Sequence, residues 1–319
     1  MNPAILHVVS VSGGKDSQAT LCLALETQPR ESIRCVFADT GNESQEVYDH
    51  LDYLEQALGI TIVRLRRSFD EEIAHTRARM AAFASGEKVD TRGDPDGPKW
   101  TPEAARRAMF FLTPTGNPYL DLCLWKGRFP SRMVQFCTQF LKTEPMVEYQ
   151  MGLIDDGYIV WSWQGVRRNE SQRRRYAREF EEVGGGLFIY RPIVRWTAQD
   201  CFEASECYGL KPNPLYLQGF TRVGCMPCIN SGKNDLLQVA RRHPEAVARI
   251  REWERLVAQV SKRQDTSFIP DPYRDAHMDK RGIDKVIQWA QTSRGGKNLD
   301  MFRGVDVTDG CSSSYGLCE

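Results

Sequence analysis

The sequence carries no surplus of charge: 42 lysines and arginines face 42 aspartates and glutamates across 319 residues. A neutral chain has no global field to draw nucleic acid or an anionic membrane, so any basic site must be local. No apolar run approaches membrane-spanning length, and no charged segment precedes the first apolar stretch as a secretory leader requires. A cytoplasmic protein without a membrane partner is therefore expected. Internal repeats and low-complexity tracts are absent too. Histidine is scarce, with five in the chain, and no pair of them accompanies clustered cysteines. In a reducing compartment the ten cysteines are not read as disulfides; where they cluster, they are metal ligands or redox thiols.

What is present begins at the N-terminus. An apolar run over 5–11 reads as a buried parallel strand and feeds directly into Ser10-Val11-Ser12-Gly13-Gly14-Lys15-Asp16-Ser17. Helical spacing then follows through Ala19, Cys22, Leu23 and Leu25. A strand, a glycine turn and a helix N-terminus form an anion site: the glycines let backbone N–H groups approach, and the free amides and helix dipole favour negative charge. Lys15 adds a point charge, and the serine hydroxyls add donors. The spacing is not that of a Walker A loop, which holds four residues between its first glycine and Gly-Lys-Ser/Thr.

Further strands are predicted over 34–38 and 60–65, with a helix between them on Val47, Leu51, Leu54 and Leu58. That alternation implies an α/β fold built on a doubly wound parallel sheet with right-handed crossovers. Ligands bind such sheets outside the carboxyl ends of the strands, so the segment Asp39-Thr40-Gly41-Asn42-Glu43 would share a rim with the glycine loop. Residues 85–130, rich in glycine and proline, read as an insertion with one short helix near 102–111. The sheet resumes at 158–163, followed by a predicted helix over 171–182 and a strand at 187–190. Thr197 is placed as the N-cap of the next helix. Pro244 opens a long helix whose inward face is Val247, Ile250, Trp253, Val257 and Val260. Residues 1–235 are thus read as a nucleotide-binding domain and 236–319 as a mostly helical extension with a cysteine-containing tail.

The second strong signal is Gly224-Cys225-Met226-Pro227-Cys228. Two thiols three positions apart can face one metal centre, and zinc, an iron–sulfur cluster or a redox pair all fit. Cys137 is the best distant partner. Cys22, Cys35 and Cys123 sit in apolar stretches as core thiols, and Cys201 and Cys207 lie on a helix. Arg167 and Arg168 precede the densest run of arginines and are expected to contact phosphate. Arg173, Arg174, Arg175 and Arg178 either form a solvated helix face or receive a nucleic-acid backbone.

Taken together, these segments resemble a known family. Ser12-Gly13-Gly14-Lys15-Asp16-Ser17 is similar to the pyrophosphate loop of the ATP-pyrophosphatase, or adenine nucleotide alpha-hydrolase-like, superfamily. Arg191 to Asp200, Asn213-Pro214-Leu215-Tyr216, Gly224 to Cys228 and Gly165 to Ser171 resemble the phosphoadenosine phosphosulfate (PAPS) reductase family within it. The resemblance implies adenine-nucleotide binding by Ser10, Ser12, Gly13, Gly14, Lys15, Asp16, Ser17, Asp39, Thr40, Gly41, Arg167 and Arg168. Lys15 and Asp16 are its candidate catalytic groups. It also implies a 4Fe–4S cluster on Cys225, Cys228 and Cys137. Cluster-bearing members carry a mid-chain cysteine pair, of which Cys137 matches one member while its neighbours are Phe136 and Thr138, so the fourth ligand is Cys311, Cys318 or an open position.

Two substrates follow from the resemblance. The complete glycine loop favours ATP with Mg2+, pyrophosphate release and sulfur transfer from a sulfur donor to an acceptor, nucleic acid included. The block over 191–228 favours a sulfonucleotide (PAPS or APS) reduced to sulfite, with Cys318 as nucleophile and a thioredoxin-type reductant. A third reading is a nucleotide- or cluster-sensing protein without turnover. Oligomeric state is left open, a homo-oligomer included.

Overall fold

The computed structural model describes residues 3–91, 99–270 and 282–292. Cys311 and Cys318 lie outside the described residues. β1 (Ile5–Ser10), β2 (Ile33–Ala38), β3 (Ile62–Leu65), β4 (Ile159–Trp163), β5 (Phe180–Gly184) and β6 (Leu187–Tyr190) form one six-stranded sheet in the order β3-β2-β1-β4-β6-β5. β1 pairs in parallel with both β2 and β4. The chain therefore winds outward from β1 to β3, then returns to the other side of β1. The crevice between the ends of β1 and β4 is the switch point where such sheets bind ligands.

Helices cover both faces because the central strands alternate. Val9, Cys35 and Phe37 point into the larger core, with α1 (Lys15–Thr27) and α2 (Gln45–Leu58). Val8, Val36, Ala38 and Val160 point the other way, onto Met146 of α7 (Glu144–Asp155). Strands buried on both faces read as apolar runs with no polar alternation, which is what residues 5–11 show.

Two details differ from the sequence reading. The helix expected over 171–182 is instead a pair of short 3-10 turns, Arg168–Glu170 and Gln172–Arg174, followed by β5. β5 runs antiparallel to β6, so the sheet is mixed at that edge. The helical reading failed because Phe180, Glu181 and Glu182 pair across to Tyr190, Ile189 and Phe188, while Gly184-Gly185-Gly186 supplies the tight turn of a hairpin. The insertion is also more ordered than expected. It holds α4 (Pro102–Phe111), as predicted, and also α5 (Pro118–Lys126). Each starts at a proline preceded by a capping residue: Thr101 accepts from the Ala104 N–H and Asn117 from the Leu120 N–H. α3 (Asp70–Ala84) precedes them, and the single turn α6 (Phe136–Thr138) follows before α7.

Past β6, Thr197 and Asp200 make a capping box at the start of α8 (Ala198–Cys207). α9 (Pro214–Leu217), α10 (Lys233–Arg242), α11 (Pro244–Gln259) and α12 (Gly282–Ala290) follow. Val247, Ile250, Trp253, Val257 and Val260 are buried and join the larger core, where Trp253 stacks on Tyr119 of α5 at 5.6 Å. Extension and insertion thus pack on each other.

Two buried histidines bind α1 to α2 and β1 to β4. His50 pairs with Gln18 at 2.8 Å, and burial pushes its pKa down to about 4. His7 accepts a 3.0 Å hydrogen bond from the Trp163 indole at Nδ1, and burial lowers it too. Both are neutral in the fold, whereas an unfolded histidine titrates near 6.5. Their contribution is present above pH 6.5 and is lost as pH falls below it, for His50 toward about 4. Urea midpoints measured across that window should drop steadily. His50→Gln, which keeps a partner for Gln18, should flatten the drop without removing the part due to His7.

Candidate active site

The glycine loop sits at the switch point. Ser12 and Ser17 close it from within: the Ser12 N–H donates to Ser17 Oγ at 3.0 Å, and Ser17 Oγ donates to the Gly14 carbonyl at 2.9 Å. Gly13 has φ +80°, and a Cβ there would stand 3.2 Å from Val47 Cγ1. Only glycine makes this turn without strain. Two residues from far along the chain hold the loop's outer edge. Asn213 caps α9 and donates from Nδ2 to the Gly13 carbonyl at 3.2 Å. The Tyr216 hydroxyl accepts from the Lys15 N–H at 3.0 Å, and its ring lies 5.5 Å from Lys15 Nζ.

Asp16 is fully buried. Its Oδ1 lies 2.8 Å from Arg167 Nε and 3.7 Å from Lys15 Nζ. Gly165 makes that pairing reachable: a Cβ there would sit 2.9 Å from the Asp16 carbonyl oxygen, so the exit of β4 can touch the first turn of α1 only without a side chain. Arg167 therefore ties β4 to the glycine loop, with Asp16 raising its pKa against the opposing effect of burial. Arg168 donates from Nε to the Ala177 carbonyl at 3.0 Å. Among the other arginines, Arg174 is buried in an ion pair with Glu170, while Arg173, Arg175 and Arg178 are exposed. Arg167→Ala would strand a buried carboxylate. Urea unfolding of that variant should show a loss of about 3–5 kcal/mol, and adding Asp16→Asn should restore part of it.

The rim after β2 carries the second half of the site. Asp39 accepts from the Tyr48 hydroxyl at 2.7 Å and from the Gly41 N–H at 2.9 Å. The Thr40 hydroxyl donates to Glu43 at 2.7 Å, and the Gly41 carbonyl accepts from Asn117 at 2.7 Å. This loop is joined to the Cys225–Cys228 turn. Glu43 and Cys225 form an antiparallel bridge, the Met226 N–H donates to the Asn42 carbonyl at 2.7 Å, and Asn42 Nδ2 donates to the Pro227 carbonyl at 3.0 Å. Arg249 of α11 clamps the junction through Asn42 Oδ1 and the Met226 carbonyl.

Cys137, Cys225 and Cys228 line one cavity, together with Thr40, Tyr119, Lys142 and Arg222. Burial pushes the Cys137 thiol up to about 12 and holds that of Cys225 well above the ordinary thiol range. Cys225 Sγ is 3.5 Å from both Thr40 Oγ1 and Glu43 Oε1, and the Asn230 N–H donates to Cys228 Sγ at 3.4 Å. Among the described residues, no group of three or more His, Cys, Asp or Glu side chains stands ready to hold a metal ion. Lys142 and Gly224 also line a small gap that reaches Ser12, so the thiol cavity and the glycine loop share a wall. Cys22, Cys35, Cys123 and Cys201 are buried elsewhere, and Cys207 is exposed.

The structure thus gathers Ser12–Ser17, Asp39–Gly41, Arg167 and three cysteines from over 200 positions of sequence around one crevice. Glu43, Lys142, Asn213 and Tyr216 were absent from the candidates. Asn213 and Tyr216 stood inside a recognised motif, where the capping residue before Pro214 was the available clue. Lys142 was detectable as a lone cation in the apolar stretch Phe140-Leu141. Glu43 ended the rim segment that the strand order places beside the glycine loop, but nothing gave it a role there.

Comparison with known proteins adds the following. The family model of the phosphoadenosine phosphosulfate reductase domain matches residues 6–90 and 123–231. An uncharacterized 37.8 kDa protein of Escherichia phage 186 is 40% identical over 98% of this chain and 97% of its own length. The adenosine 5'-phosphosulfate reductase of Mesorhizobium japonicum is 23% identical, with 70% of this chain covering 66% of that protein. The phosphoadenosine 5'-phosphosulfate reductase of Vibrio campbellii is 24% identical, with 67% of this chain covering 64% of it.

Proposed function

Because the chain belongs to the phosphoadenosine phosphosulfate reductase domain family, we propose that it is an adenine-nucleotide enzyme of sulfur chemistry, with ATP as its nucleotide. The carrying observation is the wall shared by a complete Ser-Gly-Gly-Lys-Asp-Ser loop and a three-thiol cavity. In this reading the loop amides, Lys15 and the serine hydroxyls bind the β- and γ-phosphates. Asp16 is held by Lys15 and Arg167, so Mg2+ enters on the triphosphate. An acceptor oxygen attacks the α-phosphorus, the bond from that phosphorus to the bridging oxygen breaks, and pyrophosphate leaves with the electron pair. A hydrosulfide nucleophile then attacks the activated acceptor, the bond to the adenylate oxygen breaks, and AMP leaves with the electron pair, so that sulfur stands in place of the oxygen. Catalysis is largely positioning and stabilisation of the departing charge.

Cys137, Cys225 and Cys228 would hold a 4Fe–4S cluster. Three features support the fit. A cluster takes its thiolates on separate irons, so the thiols need not converge on one ion. Arg222 Nη1 is buried at the cavity wall without a hydrogen-bond partner, a donor that a sulfide-bearing anion would satisfy. Lys142 brings positive charge to the same wall. When bound, the cluster would supply an iron site for sulfur delivery.

The second reading, reduction of a sulfonucleotide to sulfite with a thioredoxin-type reductant, is favoured by the names of the two reductases above. Assaying pyrophosphate from ATP beside sulfite from PAPS and APS separates the two. Pyrophosphate release supports the first, and sulfite alone replaces it with the second. Tight ATP binding with neither product makes the protein a sensor.

A further inference from the structure

A larger cavity, of about 780 Å³, opens between α3, the end of α5 and the segment after α11. None of its lining residues belongs to the glycine loop or the thiol cavity. Its lining is strongly basic although the chain is neutral: Arg79, Lys126, Arg128, Lys262 and Arg263 face one carboxylate, Asp265, among the described residues. Lys262 is paired with the buried Asp90. Among the described residues, Arg79, Arg128 and Arg263 form no ion pair with an acid of this lining, and Lys126 feels Glu144 and Glu72 only from outside it. Arg79 Nε is buried there without a hydrogen-bond partner. Lys126 lies over the ring of Trp125 at 3.4 Å, and burial together with the neighbouring Arg128 lowers its pKa, as mutual repulsion of cations does. Trp100 stands half-buried in the same wall and offers a flat apolar surface.

Convergent guanidinium groups select phosphate, and an aromatic ring beside them selects a base. We propose that this cavity binds a phosphorylated nucleoside unit, free or within a single strand, with Arg79, Arg128 and Arg263 on phosphate and Trp100 against the base. It is a second site, separate from the glycine loop. The segment 128–132 links it to the thiols: Ser131 lines it, and Arg132 donates to the carbonyls of Ile229 and Ser231 beside Cys228. A ligand held here would lie next to the chemistry without occupying the ATP position.

The test uses full-length, anaerobically purified protein carrying Gly14→Val, which silences the glycine loop, so failure of the ATP assignment is read separately in wild type. Anisotropy of fluorescein-labelled oligothymidylate is followed against salt, with thymidine monophosphate and thymidine as competitors. Binding of the strand, displaced by the monophosphate and not by the nucleoside, supports the proposal; binding of the monophosphate alone supports it with a free nucleotide as occupant. Adding Arg79→Gln with Arg128→Gln should weaken binding at least about tenfold and reduce the salt slope by about 0.7 for each phosphate no longer neutralised. Arg263→Glu, at an exposed position that spares the fold, should weaken it in the same direction. No binding of strand or monophosphate, or binding unchanged in both sets of variants, overturns the proposal.

Discussion

Gly14→Val is expected to abolish ATP binding while the protein stays folded. Gly14 caps α1 with φ −96° and ψ 169°, an extended conformation that valine adopts readily. The cost to the fold is then near that of a changed helix cap, about 1 kcal/mol. The isopropyl group, however, would stand where phosphate oxygens must meet the loop amides. Loss of affinity beyond about 100-fold, near 2.7 kcal/mol, with a small fall in the thermal midpoint, is the expected pair of results. Gly13→Ala provides the contrast. Its φ of +80° and the nearby Val47 place the strain on the fold itself, at about 1–2 kcal/mol for a left-handed residue. Calorimetric ATP binding and thermal melts on the two variants separate access from folding. Unchanged ATP affinity in Gly14→Val would remove the nucleotide from this loop.

The second large effect concerns the thiols. Anaerobic wild-type protein should carry iron and sulfide with broad visible absorbance, and each of Cys225→Ser, Cys228→Ser and Cys137→Ser should lose them. Serine keeps the volume and a weak donor but not the soft thiolate that iron prefers. Cys22→Ser, buried on α1 away from the cavity, should keep its iron. Cys311→Ser and Cys318→Ser then test the fourth position: bleaching marks a ligand, whereas retained colour with lost turnover marks a nucleophile. Stoichiometric zinc without sulfide in the wild type would end the cluster reading.

The central fold was legible because its signals are local. The strand over 5–11, the glycine loop and the cap at Thr197 each follow from a few adjacent residues whose preferences agree with the fold around them. The hairpin of β5 and β6 was harder. Arginine and glutamate are good helix formers, and the pairing that overrides them lies across the turn, with Phe180 set against Phe188 at 6.0 Å. The thiol cavity was legible only through resemblance, since nothing local brings Cys137 to a turn about ninety positions later. The capping function of Asn213 was readable from its proline neighbour; its hydrogen bond to Gly13 was not, because that depends on tertiary placement. Glu43 is the extreme case. It is one acid among 42; the strand order places it on the rim, and its bridge to Cys225 is visible only in the fold.

That bridge carries a consequence for how the site tolerates change. The separation between the phosphate loop and the nearest thiol is set by two stretches of chain, Thr40 to Glu43 on one side and Gly224 to Cys228 on the other, fastened by the Met226 N–H on the Asn42 carbonyl and by Asn42 Nδ2 on the Pro227 carbonyl. Two side-chain positions share in that fastening: Asn42 Nδ2 holds the Pro227 carbonyl, and a Cβ at Gly41 would stand 2.8 Å from Pro118 Cδ. Length is constrained throughout both stretches. One residue added to or removed from either stretch would slip the fastening by a full position and carry the sulfur out of reach of the nucleotide, with every functional side chain still present.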